Sequence, residues 1–259
     1  MIDIHSHILD GIDDGAKELQ DSIEMARIAY MSGTKHMIAT PHFITGLFDT
    51  NYKQVKQKVE YLNQHLHQLA IKLQIYPGQE VMLDNQMMSK LRMGHIGTLN
   101  DTQYMLIECT GEGVTAQELQ LIDALRSQGI RPIIAHIERY RGIQKHRHIL
   151  NELITRECYM QCNVNALNGV DGRKVQKWAN ELLELECIHL IASDSHSVGR
   201  RNPEMQSAIE GLEERGKSEL INQLQMHAQC VLEGKDIPYR TKRISSRKQS
   251  VIRWKTGKF

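Results

Sequence analysis

Short apolar runs alternate with amphipathic stretches along nearly the whole chain. Apolar runs of this length, bounded by turn residues, are typical of buried strands, and the longer amphipathic stretches are typical of surface helices. The predicted strands are 2–5, 36–40, 75–81, 104–108, 132–136, 159–164 and 188–193. The predicted helices are 17–32, 51–73, 84–92, 115–128, 144–157, 171–186, 203–215 and 217–233.

Regular alternation of strand and helix indicates an α/β protein with a parallel sheet. The chain has 259 residues and no linker rich in Gly, Ser or Pro, so a single closed or nearly closed β/α barrel accounts for seven units. Eight Lys and Arg residues and no acid lie in 240–259. We therefore expect a barrel over 1–239 and a basic tail over 240–259, which is a candidate contact with the inner membrane surface.

Composition adds a chemical expectation. Thirteen histidines are an excess for a chain of this length, and histidine is the commonest protein ligand for metals. Five cysteines, an N-terminus rich in acids and the absence of a long apolar run predict a cytoplasmic protein with free thiols. No nucleic-acid partner is expected, since the tail carries Trp254 and the terminal Phe259 but no recognition fold accompanies it.

Residues able to bind metals follow six of the seven predicted strands. They are His5, His7, His42, Glu80, Glu108, His136, Asp194 and His196. The carboxyl ends of the strands in a β/α barrel meet on one face, so these side chains are expected to lie together. A mixture of imidazole and carboxylate suits Zn, Mn or Fe better than Ca or Mg. Alone, His136 is explained by packing and Asp194 by helix capping, whereas Glu80 and Glu108 are costly to bury without a partner. The joint pattern predicts a metal centre.

Local sequence argues against a nucleotide-binding loop and excludes a cysteine-dependent phosphatase. Residues 211–218 match the spelling of a phosphate-binding loop, but a helix rather than a strand precedes them. No cysteine has an arginine six positions later, which excludes a cysteine-dependent phosphatase.

The segments DIHSHILDGIDDG, TPH, GQEV, LIE, AHIER and SDSH together resemble the PHP (polymerase and histidinol phosphatase) superfamily. Within it they are similar to the manganese-dependent bacterial protein-tyrosine phosphatases encoded with capsule and exopolysaccharide genes. The motifs run from Met1 to about Pro203. The resemblance implies a distorted seven-stranded TIM-like β/α barrel with up to three divalent metals, Mn²⁺ in the first place and Fe, Zn or Mg as alternatives.

Carried over by motif, the resemblance implies three ligand sets and two arginines. The first metal is held by His5, His7, Glu80 and Asp194; the second by Glu80, Glu108 and His136; the third by Asp14, His42 and His196. Asp14 is preferred to Asp13 because it directly precedes the glycine, and Asp10 is a further competitor. Arg139, with Arg201 or its neighbour Arg200, is expected to bind phosphate.

The function implied is hydrolysis of phosphotyrosine on a protein, with a cognate tyrosine kinase that controls capsule synthesis as the expected partner. The alternative is a PHP phosphatase acting on a small phosphomonoester such as histidinol phosphate. Amidohydrolases also begin with two histidines on a barrel strand, but Glu108 occupies the place of their bridging lysine.

Overall fold

The computed structural model describes residues 1–111, 113–239 and 241–244. The strands are β1 Ile2–Ser6, β2 His36–Ala39, β3 His42–Phe43, β4 Gln74–Pro77, β5 Glu80–Met82, β6 Tyr104–Glu108, β7 Arg131–Ile134, β8 Tyr159–Asn163 and β9 Leu190–Ala192. The α-helices are α1 Leu19–Met31, α2 Tyr52–Gln68, α3 Met87–Arg92, α4 Ala116–Ser127, α5 Arg141–Lys145, α6 His148–Thr155, α7 Val164–Asn168, α8 Arg173–Glu184, α9 Gln206–Glu213 and α10 Ser218–Glu233. Short 3₁₀ turns cover Leu99–Asp101 and Ile137–Arg139.

All strand pairs are parallel, in two sheets ordered β1-β2-β4 and β3-β5-β6-β7-β8-β9. The two sheets join where β9 meets β1: the amide of Asp194 donates to the carbonyl of His5 at 2.9 Å, and that of His7 to the carbonyl of Ser195 at 2.8 Å. Since β2 leads into β3 and β4 into β5, seven segments follow one another in space. The predicted β/α barrel is confirmed, in a distorted form.

The distortion comes from two interruptions that the apolar pattern does not show. The predicted strand 75–81 is wrong as one continuous element, because it breaks between Pro77 and Glu80. A Cβ at Gly78 would lie 2.8 Å from Ile38 Cγ2, so glycine permits the close approach of the neighbouring segment. The segment 36–43 breaks at Pro41, which has no N–H to donate to a ladder.

The predicted helices differ from the observed ones mainly at their ends. The prediction of one helix over 144–157 is wrong: α5 and α6 are separated at His146 and Arg147. Helix α7 was not expected at all. An apolar cluster that includes Ile4, Tyr104 and Leu106 fills the barrel interior, and the side chains of Tyr104, Leu106 and Glu108 share one face of β6 by strand alternation.

The C-terminal residues lie across the amino ends of the strands. Tyr159 Oη donates to the carbonyl of Ile237 at 2.9 Å, and the amide of Ile244 donates to Asn151 Oδ1 at 2.7 Å. Residues 241–244, expected to begin the basic tail, are thus attached to the barrel; residues 240 and 245–259 lie outside the described part. Across the described residues, no helix combines the length and apolarity that crossing a membrane requires.

Candidate metal centre

Four side chains form the first ligand cluster at the carboxyl ends of the strands. His5 Nε2 lies 3.2 Å from His7 Nε2 and 3.2 Å from Glu80 Oε2. Asp194 Oδ1 lies 3.4 Å from His5 Nε2 and 3.5 Å from His7 Nε2. Donors bound at about 2.0–2.1 Å around a tetrahedral metal are about 3.4 Å apart. The cluster therefore has the spacing of a metal site.

Charge also favours a cation in this cluster. Glu80 is fully buried, and its Oε2 atom accepts no hydrogen bond from the described residues. Burial alone would raise the pKa of Glu80, but the rings of His5 and His136 hold it well below its ordinary value. A buried carboxylate that stays ionised needs a positive partner. A divalent metal bound by Glu80 and Asp194 would satisfy this need.

Hydrogen bonds behind the two histidine rings set their tautomers. His7 Nδ1 donates to Asp13 Oδ2 at 2.7 Å, and His5 Nδ1 donates to Gln161 Oε1 at 3.1 Å. Each ring therefore directs the lone pair of Nε2 into the cluster, as a metal ligand requires. Burial lowers the pKa of His7, but its hydrogen bonds to carboxylates outweigh this effect and hold the pKa well above the ordinary value.

The second cluster shares Glu80 with the first. Its other oxygen, Oε1, lies 2.8 Å from His136 Nε2, which is 3.5 Å from Glu108 Oε1. Glu80 thus presents one oxygen to each cluster, as a bridging ligand does. Burial and the negative charge of Glu80 raise the pKa of Glu108. The candidate ligand atoms of Glu80 and Glu108 lie within 4.8 Å of each other, and two carboxylates at this distance repel unless a cation lies between them.

The third cluster is more exposed. Asp14 Oδ1 lies 3.4 Å from His196 Nε2 and 3.6 Å from His42 Nε2. His7 belongs to the same group, with its ring centroid 3.8 Å from that of His196. The opposite nitrogen of His42, Nδ1, lies 3.1 Å from Glu80 Oε2, so His42 connects this cluster to the other two.

The three aspartates of the first loop have different environments. Asp13 accepts hydrogen bonds from His7 Nδ1 and from the amide of His42, so it orients two ligands. Asp10 is bound to Lys58 Nζ at 3.0 Å. Asp14 alone of these three directs an oxygen towards both His42 and His196, which supports its selection.

Two arginines flank the first cluster. Arg139 Nη2 lies 2.7 Å from Asp194 Oδ2, and Arg201 Nη2 lies 2.8 Å from Asp194 Oδ1. Arg200 instead donates to the carbonyl of Val170 and is 71% exposed. The structure thus brings Arg139 and Arg201 to the centre and leaves Arg200 outside it.

The residues that sequence reasoning missed lie on β8, the one predicted strand that no ligand follows. Gln161 Oε1 accepts from His5 and from the amide of His136, while Gln161 Nε2 donates to Asn163 Oδ1. Asn163 Nδ2 in turn donates to Asp194 Oδ2 at 2.8 Å. Both amides are buried. Alternate amides in an otherwise apolar strand were the available signal, because buried polar side chains must be hydrogen-bonded.

Two of the candidate ligands depend on strained backbone. His136 and Asp194 have φ of +32° and +50°, a region that residues other than glycine rarely adopt. Such a conformation costs about 1–3 kcal/mol and persists where the surroundings impose it. Each turn ends a barrel segment with its side chain at the metal centre.

The remaining histidines lie outside these clusters, as expected. His65 bonds to the carbonyl of Tyr61 on the surface of α2, and His189 and His227 are buried at the other end of the barrel. The five cysteines are free, and four are buried. Burial raises the pKa of the Cys158 and Cys187 thiols to about 12, so neither supplies a thiolate near neutrality.

Known proteins similar to this chain share both its length and its architecture. The family model for capsular polysaccharide synthesis, CpsB/CapC, matches residues 1–233. The tyrosine-protein phosphatase YwqE of Bacillus subtilis (strain 168) is 37% identical over 237 residues, covering 92% of this chain and 93% of YwqE. The tyrosine-protein phosphatase CpsB of Streptococcus agalactiae serotype V is 31% identical over 245 residues, with 90% and 98% covered.

The structural comparison agrees with the sequence comparison. One of the crystal structures of YwqE from Bacillus subtilis and CpsB from Streptococcus pneumoniae superposes with a TM-score of 0.88. That chain is 37% identical, and the match covers 92% of this chain and 96% of the other. Those two proteins are described as unique metal-dependent tyrosine phosphatases.

Proposed function

The chain belongs to the CpsB/CapC family of capsular polysaccharide synthesis proteins, and from this membership we propose that it is a metal-dependent protein-tyrosine phosphatase. The observation that carries the proposal is the convergence of His5, His7, Glu80 and Asp194 at metal-ligand spacing, in a fold that matches metal-dependent tyrosine phosphatases along 92% of the chain. The reaction is hydrolysis of a phosphomonoester, with phosphate and a tyrosine hydroxyl as products.

The mixed imidazole and carboxylate donors fit Mn²⁺, Fe or Zn. We propose Mn²⁺ because of the resemblance to manganese-dependent phosphatases, with Fe, Zn and Mg as the alternatives. In the proposed assignment, His5, His7, Glu80 and Asp194 hold one ion, Glu80, Glu108 and His136 a second, and Asp14, His42 and His196 a third. Divalent metals at such a site polarise phosphoryl oxygens and generate a nucleophile from water near neutral pH. Glu80 Oε2, which has no hydrogen bond in the described structure, supports this fit.

The protein itself supplies orientation and charge. Arg139 and Arg201 are held at the mouth by Asp194, where their planar guanidinium groups can each bind two phosphate oxygens. Phosphoryl transfer depends mainly on positioning and neutralisation of charge, which these two arginines provide from the solvent side. The tyrosine leaving group has a pKa of about 10, so it needs only weak assistance from a proton donor as it leaves.

A covalent enzyme intermediate has no support in the described residues. The buried thiols of Cys109 and Cys162 have pKa values raised well above the ordinary value, chiefly by burial. A cysteine nucleophile works as the thiolate and needs a lowered pKa. Direct attack of water on phosphorus is therefore part of the proposal.

The proposed substrate is a phosphotyrosine-bearing protein, with a cognate tyrosine kinase of capsule synthesis as the partner. A cytoplasmic location follows from that partnership. The basic residues of 245–259 remain a candidate contact with the anionic inner membrane surface. Deletion of 245–259 should then lower activity on membrane-presented substrate while activity on a soluble phosphopeptide is retained.

The deciding experiment compares a tyrosine phosphopeptide with histidinol phosphate, each with added Mn²⁺ and with a chelator. We expect hydrolysis of the phosphopeptide that requires the metal. Activity that survives complete chelation would contradict the metal mechanism. A higher kcat/KM for histidinol phosphate would replace the protein substrate with a small phosphomonoester.

A further inference from the structure

The loops around the candidate metal centre differ in charge from one side of the barrel mouth to the other. Those after β1, β3 and β5 contain acids and the single lysine Lys17; the acids are Asp10, Asp13, Asp14, Glu18, Asp49 and Asp84. The first turn of α2 adds the exposed Lys53 on this side. The loops after β7, β8 and β9 contain Glu138, Asp171 and Glu204 besides Asp194, but together with helix α5 and the first turn of α8 they also carry a group of exposed cations outside the metal centre. We call this group the basic rim; it consists of Arg141, Lys145, Arg173, Lys174 and Arg200.

Strand order places the basic rim on one continuous arc. The neighbours β7, β8 and β9 pair in parallel, so the loops that follow them are adjacent on the face that carries the metal ligands. Helix α5 begins at Arg141, two residues after Arg139, and α8 begins at Arg173. Arg200 Nη2 donates to the carbonyl of Val170 at 2.7 Å, which joins the last two loops.

Four of the five rim cations are available to a ligand, whereas Arg200 lies 4.0 Å from Asp171. Arg141, Lys145, Arg173 and Lys174 are exposed and form no ion pair with any described residue. Elsewhere, surface cations commonly have acidic partners, as in the pairs Lys56–Asp101, Lys217–Glu184 and Arg156–Asp123. Exposed lysines without an ion pair also occur elsewhere, Lys35 and Lys72 among them, but at the mouth four such cations lie on neighbouring segments beside Arg139.

The rest of the chain does not share this charge. Residues 1–239 contain 24 basic and 31 acidic side chains, since the other eight basic residues lie in 240–259. An anionic segment would be repelled by most of this surface and attracted at the rim. Such an asymmetry raises the association rate and sets the orientation of a charged partner.

Building on the proposed function, we propose that the basic rim binds acidic residues flanking the phosphotyrosine of the protein substrate. The phosphate lies between Arg139 and Arg201 while the flanking carboxylates lie over Arg141, Lys145, Arg173 and Lys174. Charges near the surface interact over a Debye length of about 8 Å at physiological ionic strength. Acids within a few residues of the phosphotyrosine are therefore within range, and distant ones are not.

The test uses the metal-loaded enzyme and three substrates: a phosphotyrosine peptide flanked by Asp and Glu, the same peptide with Asn and Gln, and phosphotyrosine amide. At low salt we expect kcat/KM for the acidic peptide to exceed that for the neutral one by about tenfold or more, at the lower end of electrostatic steering effects. The ratio of kcat/KM between the acidic and the neutral peptide should fall in about 0.5 M salt, because the Debye length is shorter there. This concentration is about three times physiological ionic strength.

Charge reversal then assigns the preference to the rim. The paired changes Arg141→Glu with Lys145→Glu, and Arg173→Glu with Lys174→Glu, should each reduce kcat/KM for the acidic peptide far more than for phosphotyrosine amide. Glutamate in the first turn of α8 suits the helix dipole, so the second variant should fold. The matched control is Lys35→Glu with Lys72→Glu, two exposed lysines before β2 and β4 at the opposite end of the barrel.

The outcomes separate this proposal from the proposed function. Equal kcat/KM for acidic and neutral peptides, with phosphotyrosine hydrolysed, overturns the rim proposal alone. Failure to hydrolyse any phosphotyrosine substrate overturns the proposed function. Binding of phosphatidylglycerol vesicles that is lost in the rim variants, without a preference among peptides, would assign the rim to a membrane and also overturn the proposal.

Discussion

Replacement of Gln161 by leucine tests how the buried amides of β8 support the metal centre. Gln161 is fully buried and makes three hydrogen bonds: it accepts from His5 Nδ1 at 3.1 Å and the amide of His136 at 2.9 Å, and donates to Asn163 Oδ1 at 2.8 Å. Leucine has a similar size and no polar atom. The change therefore removes the bonds with little change in packing volume.

The loss of stability expected for Gln161→Leu follows from the buried polar groups that lose their hydrogen-bond partner. Two donors and one acceptor lose their partner inside the barrel, and each buried unsatisfied group costs about 1–3 kcal/mol. Gln161→Leu should thus lower the free energy of unfolding by about 3 kcal/mol or more, out of a total of about 5–15 kcal/mol for a typical domain. Without the bond to Gln161, the orientation and tautomer of the His5 ring are no longer fixed, and metal binding should weaken about 10- to 100-fold.

Two measurements check these numbers: urea unfolding in the presence of a chelator, and metal affinity by titration. Gln161→Glu keeps an oxygen for His5 and His136, and in its protonated form its O–H can donate to Asn163 Oδ1. Its loss of stability should therefore be smaller at low pH and grow as the buried carboxyl ionises, a dependence that Gln161→Leu lacks. Gln64→Leu, at an exposed position on α2, is the control for added apolar surface. A Gln161→Leu variant that retains wild-type metal affinity and unfolding midpoint would refute the positioning role.

Three further predictions concern the ligands, the arginines and pH. His136→Ala removes a ligand of the second cluster and should lower kcat by orders of magnitude with loss of bound metal; full activity would show that the site assignment is wrong. Arg201→Lys should raise KM and lower kcat/KM for phosphopeptide, because lysine cannot bind two phosphate oxygens in a plane, whereas Arg200→Lys should change the hydrolysis of phosphotyrosine amide by less than about twofold. The raised pKa of His7 keeps its ring protonated near neutrality without metal, so metal binding should release protons and weaken as pH falls below 7. Calorimetric titration in buffers of different ionisation enthalpy measures this release; a proton count of zero at pH 6 would contradict it.

The sequence alone was sufficient to predict the seven barrel segments, because buried strands and amphipathic helices leave local patterns that neighbouring residues determine. It was also sufficient to predict which potential metal-binding side chains lie together, since residues that follow parallel strands must meet on one face. His5, Glu80 and His136, for example, are far apart in the sequence but were expected to lie together. In the structure, Glu80 lies 3.2 Å from His5 Nε2 and 2.8 Å from His136 Nε2.

Only the tertiary structure decided how those ligands are arranged. The two oxygens of Glu80 face different rings, Asp13 supports His7 while Asp14 faces His42, and Gln161 orients a histidine 156 residues away. No pattern of neighbouring residues predicts these contacts. Each one depends on which atom of a distant segment lies beside the side chain after the barrel has closed. The breaks at Pro41 and Gly78 shape that closure: the amide of Glu80 bonds to the carbonyl of Pro41. Local preferences thus determined the segments and their ends, and packing between distant segments determined the chemistry where they meet.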